Sequence, residues 1–127
     1  MAFETTGLPV SWPAAGNLSG FQYYAVTSTT AGLITTGGTT AVRAIGVLQD
    51  DPNALNVMGS VMQQGISRCV CYGGDTAINP GDALGFGTSG FAVKTTTDNG
   101  EKIGFAQEYL GDTTPAIIAI LVEPGRY

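Results

Sequence analysis

Apolar residues in this chain come in short runs, and turn residues separate the runs at close intervals. Phe21 to Thr27 (FQYYAVT) is aromatic and β-branched, and Gly32 to Thr35 is a shorter run. Ala41 to Gln49 alternates Val42, Ala44, Gly46 and Leu48 against Arg43, Ile45 and Val47. Val57 to Met62, Ile66 to Tyr72, Ala83 to Phe86, Phe91 to Thr95, Lys102 to Glu108 and Ile117 to Glu123 complete the set. Between them stand Gly37-Gly38, Gly73-Gly74-Asp75, Asn79-Pro80-Gly81-Asp82, Ser89-Gly90, Asp98-Asn99-Gly100 and Gly111-Asp112. Strand-length runs punctuated this densely predict an all-β sandwich or barrel. Asn99-Gly100 is the sharpest hairpin cue, because a type I′ turn needs positive φ at both central residues. Helix is confined to a turn or two near Asp50-Asp51-Pro52, where an Asp cap precedes a Pro suited to the first helical position.

Residues 1–20 read as an extended N-terminal arm, since Pro9, Pro13, Gly16 and Gly20 interrupt regular structure. The arm carries Phe3, Leu8, Val10 and Trp12, the only Trp in the chain. Such a segment either folds back on its own domain or lies on a neighbour. The neighbour is favoured, because termini are loosely held unless docked and Trp is enriched in interface anchors. On that reading, removing residues 2–16 leaves the β domain folded and abolishes docking. Residues 21–127 form a single β domain with a possible internal repeat. Thr30–Gln49 matches Thr88–Gln107 without a gap, pairing Gly32 with Gly90, Leu33 with Phe91, Ile45 with Ile103, Gly46 with Gly104 and Gln49 with Gln107.

Composition narrows the function. The chain has 127 residues, enough for one domain. Charged residues are 12%, about half the usual share. A surface made of Thr, Ser, Asn, Gln and backbone is cheap to desolvate, which suits a protein that becomes buried in an assembly. The net charge is −5, and the five basic residues, Arg43, Arg68, Lys94, Lys102 and Arg126, are scattered. No basic stripe is present to neutralise phosphates or an anionic bilayer, so neither direct nucleic-acid nor membrane partners are expected. The N-terminus has an acid where a secretory signal would be basic, and synthesis in the cytoplasm is expected.

Candidate chemistry is sparse. The chain has no His, which removes Ser-His and Cys-His nucleophile–base pairs. Most of the ten acids sit in Gly/Pro turns, where Asp bonds local backbone. Asp50-Asp51 lacks the further spaced oxygens of a cation loop. Cys69 and Cys71 share one face of a strand but point in parallel, so a bridge between them is strained and they read as small apolar residues of the inner face. No catalytic residue, cofactor or metal site is expected, and the chain is not expected to be an enzyme.

The order of the pieces carries a resemblance. Ala44-Ile45-Gly46-Val47-Leu48-Gln49-Asp50-Asp51-Pro52 precedes Val61-Met62-Gln63-Gln64-Gly65-Ile66-Ser67-Arg68-Cys69-Val70. Ala77-Ile78-Asn79-Pro80-Gly81-Asp82-Ala83-Leu84 and Lys102-Ile103-Gly104-Phe105-Ala106-Gln107-Glu108 follow, and an apolar strand, Ile117 to Val122, closes the chain. Over roughly residues 20–125 this resembles the small capsid decoration, or cement, proteins of tailed bacteriophages. The resemblance implies a small β-barrel or tulip-like domain, homotrimers on the outer surface of an icosahedral head, and the major capsid protein as partner. It also implies an arm that reaches the shell or a neighbouring copy, a part open here to Phe3, Leu8, Val10 and Trp12. The alternatives are another virion β module, from a tail or fibre, and a small-ligand or sugar-binding β domain.

Overall fold

The structure, a computed structural model, describes residues 9–36, 43–73, 77–87, 90–95, 101–111 and 115–126. Among them are ten strands: β1 (Pro9–Pro13), β2 (Ala25–Ser28), β3 (Ile34–Thr35), β4 (Gly46–Leu48), β5 (Met58–Met62), β6 (Gly65–Cys71), β7 (Ala83–Phe86), β8 (Ala92–Lys94), β9 (Glu101–Ala106) and β10 (Ala116–Arg126). The chain is all-β, as the alternation predicts. Two expectations need correction. The run at Phe21–Thr27 becomes strand only from Ala25, because Tyr24 N donates to Phe21 O (3.1 Å) in a tight turn with Tyr23 at φ 70°. The stretch after Asp50 makes no helix; Val57 N closes a turn onto Ala54 O (3.1 Å), with Asn56 at φ 67°.

The half of the expected arm that begins at Pro9 is a strand. β1 runs antiparallel to β5, from Pro9 opposite Met62 to Pro13 opposite Met58. Its prolines are tolerable because β1 lies at the edge of its sheet and they stand at its two ends. Phe3 and Leu8 lie outside the described residues.

The strands fall into two units of five. The first is a sheet in the order β1-β5-β4-β2-β3; the second is a closed barrel, β10-β6-β8-β7-β9. The second order is the first with every strand advanced by five. The barrel closes through a parallel pairing of Cys71 with Ala92, and the first unit has a parallel bridge in the matching place, Ala14 with Ile34. Registers correspond too. Ala25 faces Val47 where Ala83 faces Phe105, and Leu48 faces Val61 where Ala106 faces Ile120. Trp12 faces Gly59 where Cys69 faces Ile118.

Hydrogen bonds outside the ladders repeat in the same way. Asp50 Oδ1 accepts from Ser60 N (3.0 Å), and Glu108 Oε1 accepts from Ala119 N (2.7 Å). Gln49 N donates to Ser60 O (2.7 Å), and Gln107 N donates to Ala119 O (2.9 Å). Leu48 N donates to Tyr24 O and Ala106 N to Asp82 O, each at 2.9 Å. In both units, therefore, an acid side chain and the backbone of the preceding Gln clamp the middle of the last strand.

Each unit has its own core. Ala14, Leu18, Val26, Ile34, Leu48 and Val61 fill the first, with Trp12, Phe21 and Ile45 against them. Leu84, Phe86, Ile103, Ile118, Ile120, Val122 and the two cysteines lie in the second. Strand residues alternate between faces, so β4 and β5 serve both cores. Leu48 and Val61 point into the first, while Val47 and Met62, with Ala25 and Ala44, join the second. Removing the larger of these side chains from water is worth about 1.5–3 kcal/mol each.

Candidate docking surface

Strand β1 sets out the first half of the surface. Val10 is 42% exposed, and Trp12 is half-buried against the first core, its Nε1 without a hydrogen-bond partner among the described residues. Leu55, Val57 and Met58 are exposed beside the Pro13 end of the β1–β5 ladder, where Ala14 N donates to Val57 O (2.9 Å). Of the four residues singled out from the sequence, Val10 and Trp12 thus share one strand, with further exposed apolar side chains near its end.

The second half lies on the outside of the barrel. Ile66 and Arg68 on β6, Ile117 and Ala119 on β10, and Gln107 and Glu108 after β9 line an open groove of about 750 Å³. Ile117 is 51% exposed, and Tyr109, which follows Glu108 in the chain, is 63% exposed. Phe105 and Leu121, paired across β9 and β10, are half-buried on the same outer side. Lys102 Nζ stands 5.3 Å from the Phe105 ring centroid and donates to Glu123 O (2.8 Å). The sequence pattern missed this face because Ile117 to Val122 is apolar on both sides, and alternation cannot say which side of such a strand is outside.

Several acids of the described residues serve structure. Besides the clamps at Asp50 and Glu108, Asp82 Oδ2 accepts from Asn79 N (2.8 Å) and pairs with Lys94 (3.3 Å). Glu101 pairs with Arg43 (2.8 Å), tying the rim of the first unit to β9 of the second. No cluster of three metal-ligating side chains occurs among the described residues. The arrangement offers apolar and amide groups for contact with another surface.

Cys69 and Cys71 are free and buried in the second core, on the inner face of β6. A hydrogen bond to Cys71, burial, and repulsion from a Cys71 thiolate all push the Cys69 thiol well above its ordinary value. A raised thiol means that the folded state resists ionisation, so this group favours folding below the ordinary thiol range and the advantage is lost as pH rises through the folded value. In native protein at pH 8, alkylation of both cysteines is expected to be at least tenfold slower than in denatured protein. Mass spectrometry of the alkylated chain checks this, and rapid native labelling would contradict the burial.

The fold thus defines a class: a small all-β domain of two topologically equivalent five-stranded units, the second a closed barrel. No family model matches the chain, and no curated protein matches it. Among solved structures it is similar to the N base of the head fiber gp8.5 of bacteriophage phi29, with a TM-score of 0.63 and 15% sequence identity over 91% of this chain and 93% of that one. At that identity the likeness is one of fold, and function has to be argued from the surface.

Proposed function

We propose that this chain is a structural protein of a tailed-bacteriophage virion, a decoration protein that binds the outside of the head and stabilises contacts between major capsid subunits as a homotrimer. The observation that supports this most is the near full-length fold match to the base of a phage head fiber. The ordered motifs from Ala44 to Val122 and the low share of charge point the same way. Such a protein needs no catalysis and no cofactor. Several linked copies, each with a modest contact, bind far more tightly than one through effective concentration. An interface of standard size, about 1,600 Å² in total, suffices for each contact.

A second reading is favoured by the comparison itself: the chain is the base of a fibre that projects from the head, at discrete positions. Copy number separates the two. Quantitative mass spectrometry of purified particles, with cryo-electron microscopy, gives copies over most capsomers for a decoration protein and few copies at isolated positions for a fibre base. Absence of the chain from particles would overturn both.

Phe3 and Leu8 are assigned to the contact with the shell. Replacing both with Ser is expected to weaken binding to particles about tenfold or more, the effect of losing an apolar anchor. Cosedimentation of the variant with heads stripped of the protein reads this out, and unchanged binding would remove these two residues from the interface.

A further inference from the structure

The two units are joined by a contact of which each, among the described residues, also presents one uncovered half. Within the chain, Val47 on β4 and Met62 on β5, with Ala25 on β2 and Ala44 just before β4, join the second core. Gln49 Nε2 donates to Ser67 Oγ on β6 (2.9 Å), and Val70 N on β6 donates to Tyr23 O (2.9 Å). The first unit thus gives the outer face of β4–β5, and the second receives it along β6. The counterpart of β4–β5 in the second unit is β9–β10. There Phe105 stands for Val47, Leu121 for Met62 and Gln107 for Gln49. Val47 is fully buried and Met62 9% exposed, whereas Phe105 and Leu121 are only half-buried and Gln107 is exposed. The counterpart of the receiving strand β6 is β1, where Val10 stands for Ser67. Ser67, under Gln49, is 6% exposed; Val10 is 42% exposed.

We infer that a second copy of this chain fills each vacancy: the outer face of β9–β10, through Phe105, Leu121 and Gln107, docks on strand β1 of the next copy around Val10, as β4–β5 docks on β6 within the chain. The occupant follows from the duplication, because the molecule shows what covers the matching face in its first unit. The match is not complete. Val10 offers no hydroxyl to Gln107, so this contact is made by apolar burial. Lys102 stands where the first unit has the buried Ala44, and its ammonium group is held by the Glu123 carbonyl (2.8 Å) and carboxylate (3.7 Å). Two different surfaces meet, so the contact is head-to-tail; it closes into a ring if the rotation permits and runs on as a filament if it does not. A ring of three is the homotrimer proposed above, and the inference rests on the self-association in that reading.

The test uses the full chain in sedimentation equilibrium. Val10→Asp breaks one half of the contact and Leu121→Asp the other. Each variant alone is expected to be monomeric at concentrations where the unaltered chain associates, with affinity at least tenfold weaker. Mixed in equal amounts they are expected to form a one-to-one dimer and nothing larger, since one variant keeps an intact β9–β10 face and the other an intact β1. Circular dichroism verifies that both are folded. Gln107→Trp, at an exposed position, replaces Leu121→Asp if that variant fails to fold. A mixture that stays monomeric, or single variants that associate like the unaltered chain, overturns the inference. An unaltered chain that is monomeric yet decorates particles overturns it while leaving the virion reading in place. A chain that associates as inferred but is absent from particles does the reverse.

Discussion

Gly104→Ala is expected to lower the melting temperature by about 10–15 °C. An added Cβ would run into the carbonyl oxygen of Leu121, and would sit 2.9 Å from that carbonyl carbon and 3.1 Å from Glu123 N. These are backbone atoms of the neighbouring strand, so no side chain can swing aside. Strand β9 pairs with β10 on one side and β7 on the other, and Gly104 faces Val122 and Leu84 in those two ladders. Pushing β9 away opens the barrel at both. Overpacking of this kind costs about 3 kcal/mol, against a total stability of about 5–15 kcal/mol for a domain. A loss of 3 kcal/mol in a domain of this size converts to roughly the stated shift. Gly46→Ala is expected to behave alike, since its Cβ would meet the Met62 carbonyl oxygen and come within 2.8 Å of Val61 Cγ1. Gly16→Ala is the control: nothing lies within 4 Å of the added carbon, and its melting point should move by no more than a few degrees. Thermal unfolding followed by circular dichroism decides the matter, and a Gly104→Ala protein that melts with the Gly16→Ala control would show that β9 and β10 are not so close.

That pair of glycines also shows how far the sequence carries. Gly46 and Gly104 stand out in a gapless match because a steric requirement of the backbone admits one residue only. Gln49 and Gln107 stand out as well, each donating its backbone N–H at the same point of the last strand. Beyond residues 30–49 and 88–107 the two units cannot be aligned by eye, although their strand orders agree. The physical reasons are specific. Equivalent positions need equivalent volume or hydrogen bonding, not identity, so Asp50 corresponds to Glu108, Ser60 to Ala119 and Trp12 to Cys69. The spacing between counterparts also changes along the chain, which breaks any ungapped comparison. Strand positions were legible because turn residues bound nearly every run. Strand β1 was not, because Pro9 and Pro13 are breakers inside a sheet yet acceptable at the ends of an edge strand. At the candidate surface, Val10 and Trp12 were visible as apolar residues in a polar segment. The face formed by Phe105, Leu121 and Gln107 was not, since only the comparison of two folded units shows which side of those strands the described residues leave uncovered.

Removing residues 2–16 is expected to unfold the protein or send it into aggregates, contrary to the behaviour of a detachable arm. The deletion takes away β1 and with it every pairing from Pro9–Met62 to Pro13–Met58. It also takes Ala14, which is fully buried, and Trp12, which packs on the first core. Three backbone hydrogen bonds go with them: Ala14 N to Val57 O, Asn56 N to Ala14 O, and Ala15 N to Ile34 O. Strand β5 becomes an open edge, which invites pairing with other chains. The lost burial and the newly unpaired strand together remove about 4 kcal/mol or more, comparable with the whole stability of a marginal domain. Far-UV circular dichroism and light scattering are the measurements, because Trp12 is the only Trp and its fluorescence leaves with the deletion. A shortened chain that stays monomeric and unfolds at the original midpoint would show that β1 contributes nothing to the first unit. If it collapses as expected, loss of particle binding by this deletion reports the fold and not the contact, so the shell-binding role assigned to Phe3 and Leu8 has to be read from point substitutions that leave β1 in place.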